Sequence, residues 1–347
     1  NVRGGCYVAM TVEGLGGLKV VHASSWGNSW PSLGIGFDWD PVIGKESTAG
    51  GNACGNDNGD RDAFFGWGAF GGDRTVTMFG DATRVVKCRE SNDGVSFPGQ
   101  IAFGSTAADG TLTLANSVDL NGGDRTFFLY DGSAFVDGRI GGDVISADGK
   151  RFSLDGAGVL AIEGTFGNCL ITKAGTGLLI NGKCTNNYTA KTGTLVGGTG
   201  TVEGNFAVDS GATLRPGELG GTLTVKNGMV SLEGNPKVVI DIAADKNSCL
   251  AVESESAYLY KTDGSGKTTM EINLLDGAPE SGTVKIMDWS NAVTGDLTNL
   301  FDPSSYVLTY DAEKISKATL TRDDEAKALY LNYESRKCGV GLLIIIR

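Results

Sequence analysis

His22 is the only histidine in the chain, so a Ser-His-Asp or Cys-His relay would have to be built on it alone. It sits in Val20-Val21-His22-Ala23, a strand-like context, and no Gly-x-Ser-x-Gly elbow occurs. Two stretches imitate phosphate-binding loops. Gly156-Ala157-Gly158 leads into Leu160-Ala161-Ile162-Glu163-Gly164, which continues as a strand instead of opening a helix. Gly264-Ser265-Gly266-Lys267-Thr268 has Lys261 where the first glycine is required, so it reads as a turn. The seven cysteines, Cys6, Cys54, Cys88, Cys169, Cys184, Cys249 and Cys338, contain no Cys-x-x-Cys pair, which disfavours zinc ribbons and thioredoxin-type chemistry. Their odd number leaves at least one free or bonded to another chain. Cys169 and Cys184 are the nearest pair, about one repeat apart by the period derived below. They suit either a disulfide between successive layers or two buried thiols.

Two groups of oxygen ligands remain. Asn56-Asp57-Asn58-Gly59-Asp60-Arg61-Asp62 concentrates carboxylates and amides as calcium requires, with Asp57, Asp60 and Asp62 as candidate ligands. The twelfth ligand of a helix-loop-helix site is missing, and a solvated acidic loop is the plain alternative. Asp143, Asp148, Arg151 and Asp155 combine carboxylates with a cation, as polysaccharide lyases and hydrolases on β-helices do, yet they lie among turn residues without an aligned repeat. The expectation is therefore a protein that is not an enzyme and needs no cofactor, calcium being the one candidate ion.

The elements that would position these residues are strands. With 54 Gly and 7 Pro in 347 residues, no long stretch escapes glycine, which costs a helix about 1 kcal/mol per residue relative to alanine. The glycines have no three-residue period, which removes collagen, and 40% hydrophobic content removes global disorder. A net charge of −12 with no basic block leaves nucleic acid an improbable partner. A unit of Gly, a residue that is β-branched in all copies but one, then Leu or Val recurs: Gly110-Thr111-Leu112, Gly158-Val159-Leu160, Gly177-Leu178-Leu179, Gly193-Thr194-Leu195, Gly200-Thr201-Val202 and Gly221-Thr222-Leu223. Leu160, Leu179, Leu195 and Leu214 follow at intervals of roughly 16 to 19 residues, the size of one β-solenoid coil. No such unit buries an apolar face alone, so the units must stack. A second duplication pairs Gly71-Gly72-Asp73-Arg74 with Gly122-Gly123-Asp124-Arg125, read as turns anchored by surface ion pairs.

The ends differ from the middle. Trp26, Trp30, Trp39 and Trp67 cluster with Phe37, Phe64, Phe65 and Phe70 in the first 70 residues, as a cap over an open core would require; a sugar-stacking platform is the functional alternative. Beyond residue 236 longer alternating strands replace the glycine repeats, with short helices expected within 311–320 and 322–328. The segment 340–346, interrupted only by Gly341, is far shorter than the roughly 20 residues of a transmembrane helix. As a strand, its Val340, Leu342, Leu343, Ile344, Ile345 and Ile346 need cover on both faces, in the core of their own chain or in a neighbouring subunit. The start at Asn1 instead of Met reads as removal of an export signal.

Residues 119–227 resemble a known family. The residues that carry the likeness are Asn121-Gly122-Gly123-Asp124-Arg125-Thr126, Ile140-Gly141-Gly142-Asp143-Val144-Ile145, Ala174-Gly175-Thr176-Gly177-Leu178-Leu179-Ile180-Asn181-Gly182, Thr192-Gly193-Thr194-Leu195-Val196-Gly197-Gly198 and Asp209-Ser210-Gly211-Ala212-Thr213-Leu214-Arg215-Pro216-Gly217. This stretch resembles the strand repeats of autotransporter passengers and related secreted β-helices. The resemblance implies a right-handed parallel β-helix outside the cell, commonly an adhesin or surface scaffold. No stretch here is similar to the translocating barrel of that family.

The expected fold is thus all-β: a right-handed parallel β-helix, with a cap over 1–70, repeats over 71–245, a closing β region over 246–337 and an apolar terminal strand over 338–347. The expected function is an extracellular or cell-surface structural protein whose last strand joins copies head to tail into a fibre or layer. Its partners would be other copies of itself. An adhesin binding glycan or host protein, and a β-helix polysaccharide lyase or hydrolase, are the alternatives.

Overall fold

Every third strand of the solenoid falls on the same face. The computed structural model describes residues 10–13, 17–23, 64–78, 81–88, 100–147, 149–171, 174–254, 256–260, 267–292 and 300–336. Arg74–Met78, Val86–Lys87 and Gln100–Gly104 lie on three different faces, and each is followed in register by the next strand of its own face. The first and second faces are 11-stranded sheets. The third is split into a 6-stranded sheet that ends at Asn168–Ile171 and a 4-stranded sheet that begins at Tyr188–Ala190. Pairing is parallel throughout the coils, and the chain is a parallel β-solenoid. Among the described residues the only helix is the 3-10 turn Pro303–Ser305, and none is long and apolar enough to cross a membrane.

The period is 18 residues where the repeat is cleanest. On the first face Leu160 pairs with Leu178, Leu178 with Val196 and Val196 with Leu214, forming one fully buried column. Leu179 and Leu195, expected in that column, occupy the alternate positions and point outward. They are covered instead by Phe135 and Val136, in a small second core outside the solenoid. Alternation of side chains along a strand makes this a one-residue matter: Leu178 and Leu179 are both leucine, so type alone does not tell inside from outside.

Glycine fixes the corners. A Cβ on Gly182 would lie 2.1 Å from the Gly164 carbonyl oxygen, one on Gly200 would lie 2.0 Å from that of Gly182, and one on Gly164 would lie 2.4 Å from that of Gly142. The backbone of the preceding coil passes where a side chain would stand. Polar turn residues then bind the coils one to the next. The Asn181 Oδ1 accepts from the Thr199 N–H at 3.1 Å, Asn187 Oδ1 from Asn205 N–H at 2.9 Å, and Asn205 Oδ1 from Met229 N–H at 2.8 Å. Inside, Phe127 stacks on Phe152 with centroids 5.3 Å apart, and Phe103 and Phe166 meet this pair edge to face at 6.2 and 5.8 Å.

The Gly-Gly-Asp-Arg duplication is organised differently from the ion pair expected. Asp73 Oδ1 accepts from the Thr111 N–H of the next coil, while the guanidinium of the buried Arg74 donates to the carbonyls of Phe70, Gly71 and Asp73. Asp124 likewise accepts from the Arg151 N–H, and Arg125 Nε donates to the Leu120 carbonyl. Each aspartate therefore binds a neighbouring coil, and each arginine closes its own turn. The two copies also open strands on different faces.

Both ends depart from parallel pairing. Met10–Glu13 runs antiparallel on Arg74–Met78, and Gly17–Ala23 antiparallel on Phe64–Phe70. Trp67 is fully buried in that strand, whereas Trp26, Trp30 and Trp39 lie outside the described residues. At the other end Ile315–Asp323 and Ala328–Ser335 form an antiparallel hairpin on Ser281–Asp288. Strands thus occupy the region where short helices were expected. Thr319, Leu320 and Thr321 favour the pleated sheet, and residues 324–327 turn the chain with Lys327 at φ 49°.

The glycine column gives a direct test. Gly182→Ala forces a methyl into backbone that cannot move aside and should lower stability by about 2–3 kcal/mol. Gly149→Ala, at a positive φ with nothing within 4 Å of the added carbon, should lose only about 1 kcal/mol. Urea unfolding of the two variants beside the wild type distinguishes these values.

Candidate functional site

The outer side of the first face gathers charge on adjacent coils. Along one outward column Arg139 is followed by Ala161, Leu179, Gly197 and Arg215. Two segments cover it. Residues 131–137 bring Phe135 and Val136 onto Ala161 and Leu179. Residues 217–221 cross the same face with every φ but that of Glu218 positive, including Leu219 at 56°. A left-handed leucine costs of order 1 kcal/mol, so tertiary contacts must hold the loop there.

The contact that holds it is Glu218. Its carboxylate accepts from Arg139 Nη2 and, at 2.8 Å, from Asn181 Nδ2. Glu163 accepts from Arg139 Nη1 and, at 2.9 Å, from the same Asn181 amide. Two carboxylates from separate coils thus share one guanidinium and one amide. Burial works against the Arg139 cation, but Glu218 and Glu163 more than offset it and hold its pKa above the usual guanidinium value. Beside this group Arg215 makes a bidentate pair with the fully buried Asp241, at 2.6 and 3.0 Å, and lies 4.2 Å over the Phe135 ring. Asn273 Nδ2 donates to the same carboxylate at 3.1 Å.

Carboxylates with arginine on one face of stacked coils match the residue types that sugar-polymer chemistry uses. Their pairing is the obstacle. Glycoside hydrolysis asks one carboxyl to hold a proton and another to face the sugar, whereas here each serves as counter-ion to an arginine. Burial raises the Asp137 carboxyl above the usual carboxylate range, but Asp137 is 2% exposed and its two oxygens accept from the Gly132 and Val159 N–H groups. It closes the 131–137 segment and offers nothing to a substrate.

Among the described residues, the candidates named from sequence take separate places. Asp143 accepts from the Thr165 N–H and Asp155 from the Gly156 N–H, each a backbone role, and Arg151 opens a strand on the third face. Asp57, Asp60, Asp62, Asp148 and 340–346 lie outside the described residues. Cys169 stands opposite Phe152 on the third face and Cys184 opposite Phe166 on the second, and both thiols are free. The Cys184 thiol donates to the Asn186 carbonyl at 3.3 Å. Burial pushes Cys184 up to about 11 and Cys88 and Cys249 up to about 12. Among the described residues no group of three or more His, Cys, Asp or Glu could hold a metal ion. The cluster that does form was not foreseen, because Arg139 and Glu218 are 79 residues apart and no local spacing links them.

Neither a protein-family model nor a curated relative matches this sequence.

Two outcomes follow. Arg215→Ala leaves the Asp241 charge buried without its cation and should lower stability by about 3–5 kcal/mol, while the joint replacement Arg215→Met with Asp241→Leu should recover most of that loss. Chemical denaturation of both variants reads it. At pH 8 the folded protein should keep Cys88, Cys184 and Cys249 unmodified by a maleimide, and all three should react after unfolding in urea; peptide mass spectrometry checks each site.

Proposed function

We propose that this protein is a non-enzymatic structural solenoid of the cell exterior that self-associates through its apolar segment 340–346. The observation that carries the reading is the closure of the outer-face cluster: its arginines and carboxylates neutralise one another across coils and lock two covering loops. Such a group ties separate coils together, and each of its carboxylates serves as counter-ion to an arginine. The turn asparagines act in the same way, binding each coil to the next. The exterior location rests on the resemblance of 119–227 to secreted passengers, and the joining role on the hydrophobicity of 340–346, interrupted only by Gly341.

One observation favours glycan binding as a second reading. A groove of about 370 Å³ crosses successive coils between the second and third faces, lined by Ser146, Thr165, Asn168, Thr185 and Asn186. Its hydroxyls and amides suit a neutral sugar chain. Trp67, being buried, is no part of a stacking platform.

Removing 340–347 should convert assemblies into monomers with unchanged circular dichroism, as read by sedimentation velocity and negative-stain microscopy. Assembly by the truncated chain would refute the joining role.

A further inference from the structure

The first face ends on a strand that natural edges seldom resemble. Tyr306–Tyr310, sequence Tyr-Val-Leu-Thr-Tyr, pairs with Thr268–Leu274 on one side, and no described strand pairs with its other side. It has no charge and no proline, the usual protections of an open edge. Val307 is 47% exposed, the highest value among the large hydrophobic residues described. The other terminal strand, Ile315–Asp323 on the second face, carries Lys317, Arg322 and Asp323 and is irregular between Ile315 and Lys317. The second-face edge is thus protected and the first-face edge is not; the third-face sheet ends one coil earlier, on Ser256–Tyr260.

The apolar segment starts close by. Ala328–Ser335 brings the chain to the corner where Ser335 N–H donates to the Glu280 carbonyl and Arg336 N–H to that of Lys314. Lys314 lies four residues beyond Tyr310, in the link that rises from the first face into the terminal hairpin. Only 337–339 separate this corner from 340–346, a reach of roughly 10 Å. Ser335 and Arg336, which lead into the segment, are held between two parts of their own chain. One side holds the turn at Glu280, the other the 311–314 link, and reaching the open edge would require crossing that link. Chain connections avoid such crossings.

We infer that the open edge of Tyr306–Tyr310 receives residues 340–346 of a second copy, adding them as a further strand of the first-face sheet. This rests on the self-association proposed above and names its acceptor. Backbone hydrogen bonds would complete the edge, while alternate apolar side chains meet Leu308 and Tyr310 on one side and Val307 on the other. Donor and acceptor lie at the same end of the molecule. The joint is therefore reciprocal, uniting like ends in a two-fold pair, where the head-to-tail order expected from sequence would need an acceptor at the opposite end.

The test compares three full-length or truncated proteins by sedimentation velocity across a dilution series: wild type, a chain lacking 340–347, and Val307→Lys with Thr309→Lys. The two lysines stand on exposed positions, so circular dichroism and thermal melting should match the wild type. The expected result is a dimer for the wild type and at least a tenfold weaker association for both variants. If the lysine variant associates like the wild type while the truncated chain does not, the acceptor lies elsewhere; the inference falls and the self-association stands. A wild type that is monomeric throughout overturns both.

Discussion

Stacking of one coil on the next at the spacing of hydrogen-bonded strands is the constraint on which the rest of this molecule depends. Neighbouring strands lie about 4.8 Å apart, and every turn of the chain must repeat that rise at three corners. Where the corners of successive coils coincide, the backbone of one occupies the space a side chain of the next would need. Gly142, Gly164, Gly182 and Gly200 meet that demand. The high glycine content thus reflects close approach of backbone to backbone more than looseness. The same spacing lets an asparagine carboxamide on one coil reach the backbone N–H of the next, so polar turns contribute to stability instead of merely reversing the chain.

The outer face of the first sheet shows what such a stack permits. Side chains from distant coils converge there because winding converts a sequence separation of 79 residues into contact between Arg139 and Glu218. The two covering segments hide apolar residues that would otherwise face water, and their charges hold them down. Buried ion pairs are weak as a source of net stability, since desolvation cancels much of the attraction. Their contribution here is positional: a glutamate that finds Arg139 and Asn181 fixes a loop whose Leu219 backbone is unfavourable by itself.

The ends pose the opposite problem. A parallel stack leaves unpaired N–H and C=O groups on its outermost strands, and antiparallel additions cover them at both ends. Tyr306–Tyr310 on the first face has no such addition among the described residues, and neither has Ser256–Tyr260, the uncharged last strand of the third-face sheet. The proposed self-association starts from the open edge of Tyr306–Tyr310.

Alternation, glycine spacing and the near-18-residue recurrence were enough to read a parallel stack of β coils from the sequence, because each is local and each follows from the strand period or from backbone contact. Which of two adjacent leucines points inward was not legible: Leu178 and Leu179 differ only in facing, and a covering segment from another coil removes the solvent exposure that would distinguish them. The Asp-Arg pairs could be found as turns, but their partners belong to neighbouring coils and carbonyls that sequence does not order. The cluster of Arg139, Glu163, Asn181 and Glu218 was decided by tertiary structure alone. Its members share no spacing, and only the winding of the chain brings their charges within reach.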